Sequence, residues 1–147
     1  MLQTDRLESL KAGTYSALAS ALAFTVLLAT NSSILAARFE SLQELRIENF
    51  SLAEMIGLAI ASASGFVFGI TYRYIVRSDR NSHLKSGAVM AFGLVRGLAQ
   101  IDSRLHIPSP NIWLLGLLGL ESLLLFAIAG IALDLAMESS LIKPSQI

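Results

Sequence analysis

Between Lys11 and Arg38 the chain carries no charged residue, in the run AGTYSALASALAFTVLLATNSSILAA. A hydrocarbon core roughly 30 Å thick is crossed by about 20 predominantly apolar helical residues. Only a helix or a closed barrel satisfies its own backbone polar groups there. This run therefore points to a membrane-spanning helix more firmly than any motif in the chain does. Met55 to Tyr72 is also uncharged, with Glu54 before it and Arg73 after it. Ile112 to Met137 is long and Leu-rich, although Glu121 stands near its centre and Asp134 near its end. The segment after Lys85 is the least apolar of the four, because Arg96 interrupts it, and it could span, lie flat or re-enter. With 54% hydrophobic and 15% charged residues, the composition favours the membrane class over a soluble domain.

The expected fold is all-α, a single membrane domain over residues 1–147. Four transmembrane helices are expected at about 12–36, 52–73, 85–103 and 111–136. RFESLQELRIENF brings Phe39, Leu42, Leu45 or Ile47, and Phe50 toward one helical face among interleaved charges, which suits a short interfacial helix at about 39–49. It could equally extend the first span. In HIPSPN, Pro108 and Pro110 resist helix, so the third and fourth segments should form a tight hairpin. The N-terminal MLQTDRLESLK contains Asp5 and Glu8, and the apolar run after it exceeds a signal h-region of about 7 to 15 residues, so a retained anchor is expected. Cleavage after the small residues before Arg38 is the alternative.

The absence of cysteine excludes disulfides, thiolate metal sites and Cys nucleophiles. His83 and His106 lie far apart, outside any metal-ligand spacing, and no metal is expected. A formal net charge of zero gives no reason to expect nucleic acid. No serine has a neighbouring His or a Gly-x-Ser-x-Gly context, and no phosphate-cradling loop is present, so an enzyme is not expected.

Basic residues near span ends set orientation. Four spans place Arg6, Lys11, Arg73, Arg77, Arg80, Lys85 and Lys143 on one side, against Arg38, Arg46 and Arg104 on the other. Both termini should then be cytoplasmic or stromal. The loop RYIVRSDRNSHLK, with Arg73, Arg77, Arg80 and Lys85, reads first as an orientation signal and second as a docking site for lipid headgroups or a partner.

Gly57, Ala61, Gly65 and Gly69 recur every four residues, stacking small side chains on one face of the second span. Gly13, Ala17, Ala21, Thr25 and Ala29 make a similar row on the first span, and the two rows are expected to pack together. On the fourth span, Gly116, Gly119, Leu123, Ala127, Gly130 and Asp134 form a stripe from which Glu121 is turned more than 90° away. Counting inward at 1.5 Å per residue puts Arg96 and Glu121 at a similar depth, about 15 Å from their respective sides. A bidentate ion pair would replace much of their lost hydration. The competing reading is functional, since an intramembrane charge marks a polar path, a ligand or a partner contact.

The run from GFVFGITYRYIVRSD through HLKSGAVMAFGLVRGLAQ, Gly65 to Gln100, resembles small multi-span membrane proteins of cyanobacteria and plastids. That likeness implies a thylakoid or cyanobacterial plasma membrane and work beside photosynthetic complexes, with no catalytic residues to carry over. An interhelical Arg and Glu also resembles the way some light-harvesting proteins ligate chlorophyll. A pigment or a lipid would be the bound molecule on that likeness, and otherwise no cofactor is expected. The expected function is that of an accessory or assembly component contacting the lipid bilayer and other integral membrane proteins. A small channel or carrier using Arg96 and Glu121 is the alternative.

Overall fold

The computed structural model describes residues 2–76 and 81–145, and these are all-helical, with no strand among them. Helix α1 (Leu2–Thr30) passes through a π-helical stretch (Asn31–Leu35) into a final α-helical turn (Ala36–Arg38). A six-residue 3-10 segment (Glu40–Leu45) follows, then α2 (Leu52–Ile75), α3 (Ser82–Leu105) and α4 (Ile112–Glu138). Helices α1, α2 and α4 are long and apolar enough to cross a membrane, consistent with an integral membrane protein. Helix α3 is long enough at 24 residues, but Arg96, Gln100 and Asp102 interrupt its apolar run.

The ends follow from local chemistry. Ser51 and Glu54 close a capping box on α2, in which Ser51 N donates to Glu54 Oε2 at 2.8 Å. Asn81 and Asn111 accept from the backbone N–H groups of His83 and Trp113, each at 3.0 Å, and so cap α3 and α4. The turn at 106–111 makes α3 and α4 a hairpin, with Ser109 at φ 62° between its two prolines. Helix α1 starts well before the apolar run, because Leu2 to Lys11 consists largely of good helix formers. That extension carries Asp5, Glu8 and Ser9 toward α2 and the C-terminal tail.

The interfacial helix expected at about 39–49 is instead the 3-10 segment Glu40–Leu45 in an irregular strap. Phe39 is extended at φ −124° and breaks the helix, and Ile47 N donates to Ser32 Oγ at 3.0 Å, tying the strap to α1. Asn111 Nδ2 donates to the Ser41 carbonyl, tying the strap to the hairpin. Leu42, Leu45 and Ile47 turn partly inward, whereas Phe39 and Phe50 are exposed and leave the expected face.

Consecutive helices run antiparallel, and the start of α1, the end of α2 and Lys143 of the tail meet at one end. Helix α1 packs along α2 and α4, and α3 packs along α4, while the consecutive helices α2 and α3 splay apart and touch little. Phe68 anchors the core, its ring centroid 5.2 Å from Tyr72, 5.3 Å from Phe92 and 5.1 Å from Phe126. Around this core the outward side chains are apolar on every helix, among them Leu22, Val26, Ile60, Val67, Val95, Leu98, Ile131 and Leu135.

The α1–α2 seam rests on close backbone approach. Ala61, Gly65 and Gly69 are buried along α2, and Gly57 is half-buried against the Phe24 ring. On α1, however, the facing row is Ala12, Gly13, Ser16, Ser20 and Ala23. Of the expected row, Gly13 is at the seam, Ala17 and Ala21 lie at its edge, and Thr25 and Ala29 are exposed. Both rows have helical spacing, so spacing alone could not choose between them. The contact selects the row that admits the serine hydroxyls opposite Gly65 and Gly69.

Candidate functional site

Three helices bring polar groups together in the interior of the bundle, toward the end that carries the strap. The run Thr30-Asn31-Ser32-Ser33 loosens the α1 ladder: Thr30 Oγ1 donates to Val26 O at 2.8 Å, and Ser33 Oγ donates to Ala29 O. Such hydroxyl bonds to the preceding turn compete with the helix's own donors and bend it, and the ladder relaxes here into the π stretch. Asn31 is thereby buried and approaches the Glu121 carboxyl of α4. From α3, Gln100 Oε1 accepts from Ser122 Oγ at 2.7 Å. Asn31, Arg96, Gln100, Glu121 and Ser122 line one cavity of about 40 Å³, closed by Phe24, Leu27, Leu28 and Leu125. That volume holds about one or two waters. Ser122→Ala is expected to lower stability by about 0.6 kcal/mol, the usual worth of an interhelical hydrogen bond in a membrane. An SDS titration should register it as a small, measurable shift in midpoint.

Arg96 and Glu121 share this cavity but do not form the expected bidentate pair. No ion pair within 4.0 Å joins them among the described residues. The Arg96 Cζ lies 6.0 Å from the centroid of the Phe24 ring, and Glu121 Oε1 is buried without a hydrogen-bond partner. From α1, Phe24 lies against Arg96 and Asn31 approaches Glu121, and neither contact is visible in the sequences of α3 and α4.

Arg96 also lines a second, larger space. Where α2 and α3 splay, a lateral groove of about 740 Å³ opens onto the apolar flank of the bundle. Ile60 and Val67 of α2 line one wall, Phe92, Val95 and Ala99 of α3 the other, and Arg96, Gln100 and Arg104 run down the α3 side. The same guanidinium therefore borders the inner cavity and the flank. Among the described residues its side chain interacts with the Phe24 ring alone.

The end holding the termini carries a separate knot centred on Arg73, whose side chain is 3% exposed. Its Nη2 donates to Asp5 Oδ1 at 2.5 Å, Nη1 donates to Ser9 Oγ at 2.7 Å, and Nε donates to Lys143 O at 2.8 Å. Lys143 N donates back to Glu8 Oε2 at 2.9 Å, which closes the C-terminal tail onto α1. Lys85 pairs with Asp134 at 2.9 Å, and Tyr72 donates to the same carboxyl oxygen at 3.1 Å. Arg73 and Lys85 are thus tied to other helices, unlike free residues of a basic loop, and Asp134 at the end of α4 is held by protein partners. Arg77 and Arg80 lie outside the described residues.

No group of three or more metal-binding side chains occurs among the described residues, and His83 and His106 are both exposed. Asn31, Gln100 and Ser122 are site residues that no sequence motif marked. The polar run of α1 around Asn31 and the i, i+4 spacing of Arg96 and Gln100 are the signals that could have found them. No family model, curated protein or solved structure matches the chain.

Proposed function

We propose that this chain is a non-catalytic integral membrane bundle of four spans that serves as an accessory or assembly component of a larger membrane complex. The observation that carries the reading is where the open volume lies. The cavity between Arg96 and Glu121 is about 40 Å³, whereas the groove of about 740 Å³ lies on the flank, where another membrane protein would dock. Support for α3 as the fourth span comes from its outward side chains. Met90, Leu94, Val95 and Leu98 are exposed and apolar, while Arg96 and Gln100 are half-buried, the inside-out pattern suited to lipid. The strap around Glu40–Leu45 would lie at the far membrane surface, and the excess of Lys and Arg at the terminus-bearing end supports cytoplasmic or stromal termini. A thylakoid or cyanobacterial plasma membrane rests on the likeness of Gly65–Gln100 alone.

The second reading, a small channel or carrier, draws on the unpartnered Glu121 Oε1 beside Arg96. Two measurements separate the readings. Purification of the full chain in mild detergent is expected to retain a stable companion protein, and the isolated chain in liposomes is expected to pass no solute above the level of empty vesicles. Solute flux abolished by Glu121→Leu, with no companion retained, would favour the channel.

A further inference from the structure

We propose that the groove between α2 and α3 seats a transmembrane helix of a different polypeptide, which presents an Asp or Glu carboxylate to Arg96. This inference rests on the accessory role above and adds to it the docking face and the chemistry of the partner.

Arg96 supplies the first argument. A guanidinium offers five N–H donors, and those of Arg96 meet no acceptor among the described residues. A charge at this depth is expensive without a partner; Glu121, across the inner cavity, forms no ion pair with it, and the groove is the other side that Arg96 borders. Its position selects the kind of partner. Arg96 lies eight residues from Arg104, about 12 Å deeper along α3. Arg104, 39% exposed at the mouth, is where a lipid headgroup would stop. An acceptor 12 Å further in, at about 1.5 Å per residue, is more naturally a side chain held on a helix.

The walls supply the second argument. Ala53 and Ser64 on α2, and Ala99 and Ser103 on α3, line the groove, and such small side chains let a helix approach closely. A second copy of this chain is a poor occupant, because among its described residues no carboxylate at the matching depth faces outward. Its Glu121 faces the inner cavity and its Asp134 is paired with Lys85. Charge complementarity therefore favours a foreign helix with an acidic residue near its middle.

The test uses the full chain in its native membrane. A photo-reactive residue replacing Val95, which is 72% exposed on the groove wall, is compared with one replacing Leu22, which is 69% exposed on α1. The expected result is a crosslink from position 95, and none from position 22, to a transmembrane peptide bearing Asp or Glu near its midpoint. Crosslinks from position 95 only to lipid, or only to a second copy, would overturn the proposal. Ala99→Trp fills the groove from its exposed wall and should reduce the recovered companion at least about threefold, what the loss of one interhelical polar contact amounts to, while the melting of the bundle itself stays unchanged. Arg96→Glu should likewise reduce the recovered companion, and a Lys in place of the partner's carboxylate should restore binding to it. Retention of the companion by both variants sinks the docking face and leaves the accessory role standing. A wild-type chain that retains no companion removes both.

Discussion

Gly69→Leu should pull α1 away from α2 and lower the stability of the bundle by about 3 kcal/mol or more, the upper range for overpacking a close contact. A Cβ at position 69 would fall against the Ala12 carbonyl oxygen and 2.6 Å from the Ser16 Cβ. The first obstacle is backbone, so no change of rotamer relieves it and the helices must separate. Gly65 lies in the same seam, where a Cβ would sit 2.9 Å from the Ser16 carbonyl oxygen. Gly116 provides the control, since a Cβ there meets nothing within 4 Å. Gly116→Leu should therefore change stability by no more than about 0.5 kcal/mol. Unfolding of the purified protein in detergent checks both variants. Equal midpoints for Gly69→Leu and wild type would mean that the α1–α2 seam is not built on backbone approach.

Asp5→Ala is expected to cost about 3 kcal/mol, because removing one member of a buried ion pair leaves the other charge uncompensated. Arg73 is 3% exposed and Asp5 22% exposed, and the guanidinium joins three parts of the chain: α1 through Asp5 and Ser9, the end of α2, and the tail carbonyl of Lys143. The tail should loosen along with the pair. Protease cleavage near Leu141 should become faster in Asp5→Ala than in wild type, since Ile142 is 3% exposed in the closed arrangement. Arg73→Lys should behave like a partial loss, because an ammonium cannot reproduce the fork that reaches Asp5, Ser9 and Lys143 at once. Unchanged unfolding and cleavage in Asp5→Ala would show that the knot is a surface ornament, worth no more than exposed ion pairs usually are.

Much of the architecture is legible in the sequence. The absence of charge between Lys11 and Arg38 fixes a long apolar helix, the Gly57-Ala61-Gly65-Gly69 row lies on the face of α2 nearest α1, and the two prolines make the α3–α4 turn. These features depend on local chemistry or on a periodicity carried by a single element. The features that were misread depend on a second element. The partner row of α1 slid to Ala12, Ser16 and Ser20 because several of its faces carry small residues, and only contact with α2 distinguishes them. The strap after Phe39 has an amphipathic pattern, yet its bonds to Ser32 and Asn111 leave only the short 3-10 segment.

Arg96 divides the two kinds of knowledge most clearly. The sequence alone determined that a cation stands in an apolar helix at about the depth of Glu121, because rise per residue is a property of one helix. Tertiary structure decided what the cation faces: α1 contributes Phe24 and Asn31 to the space between the two charges, and the splay of α2 from α3 opens a groove beside the guanidinium. Depth follows from counting along a chain, whereas the partner of a side chain is set by the angles at which separate helices meet.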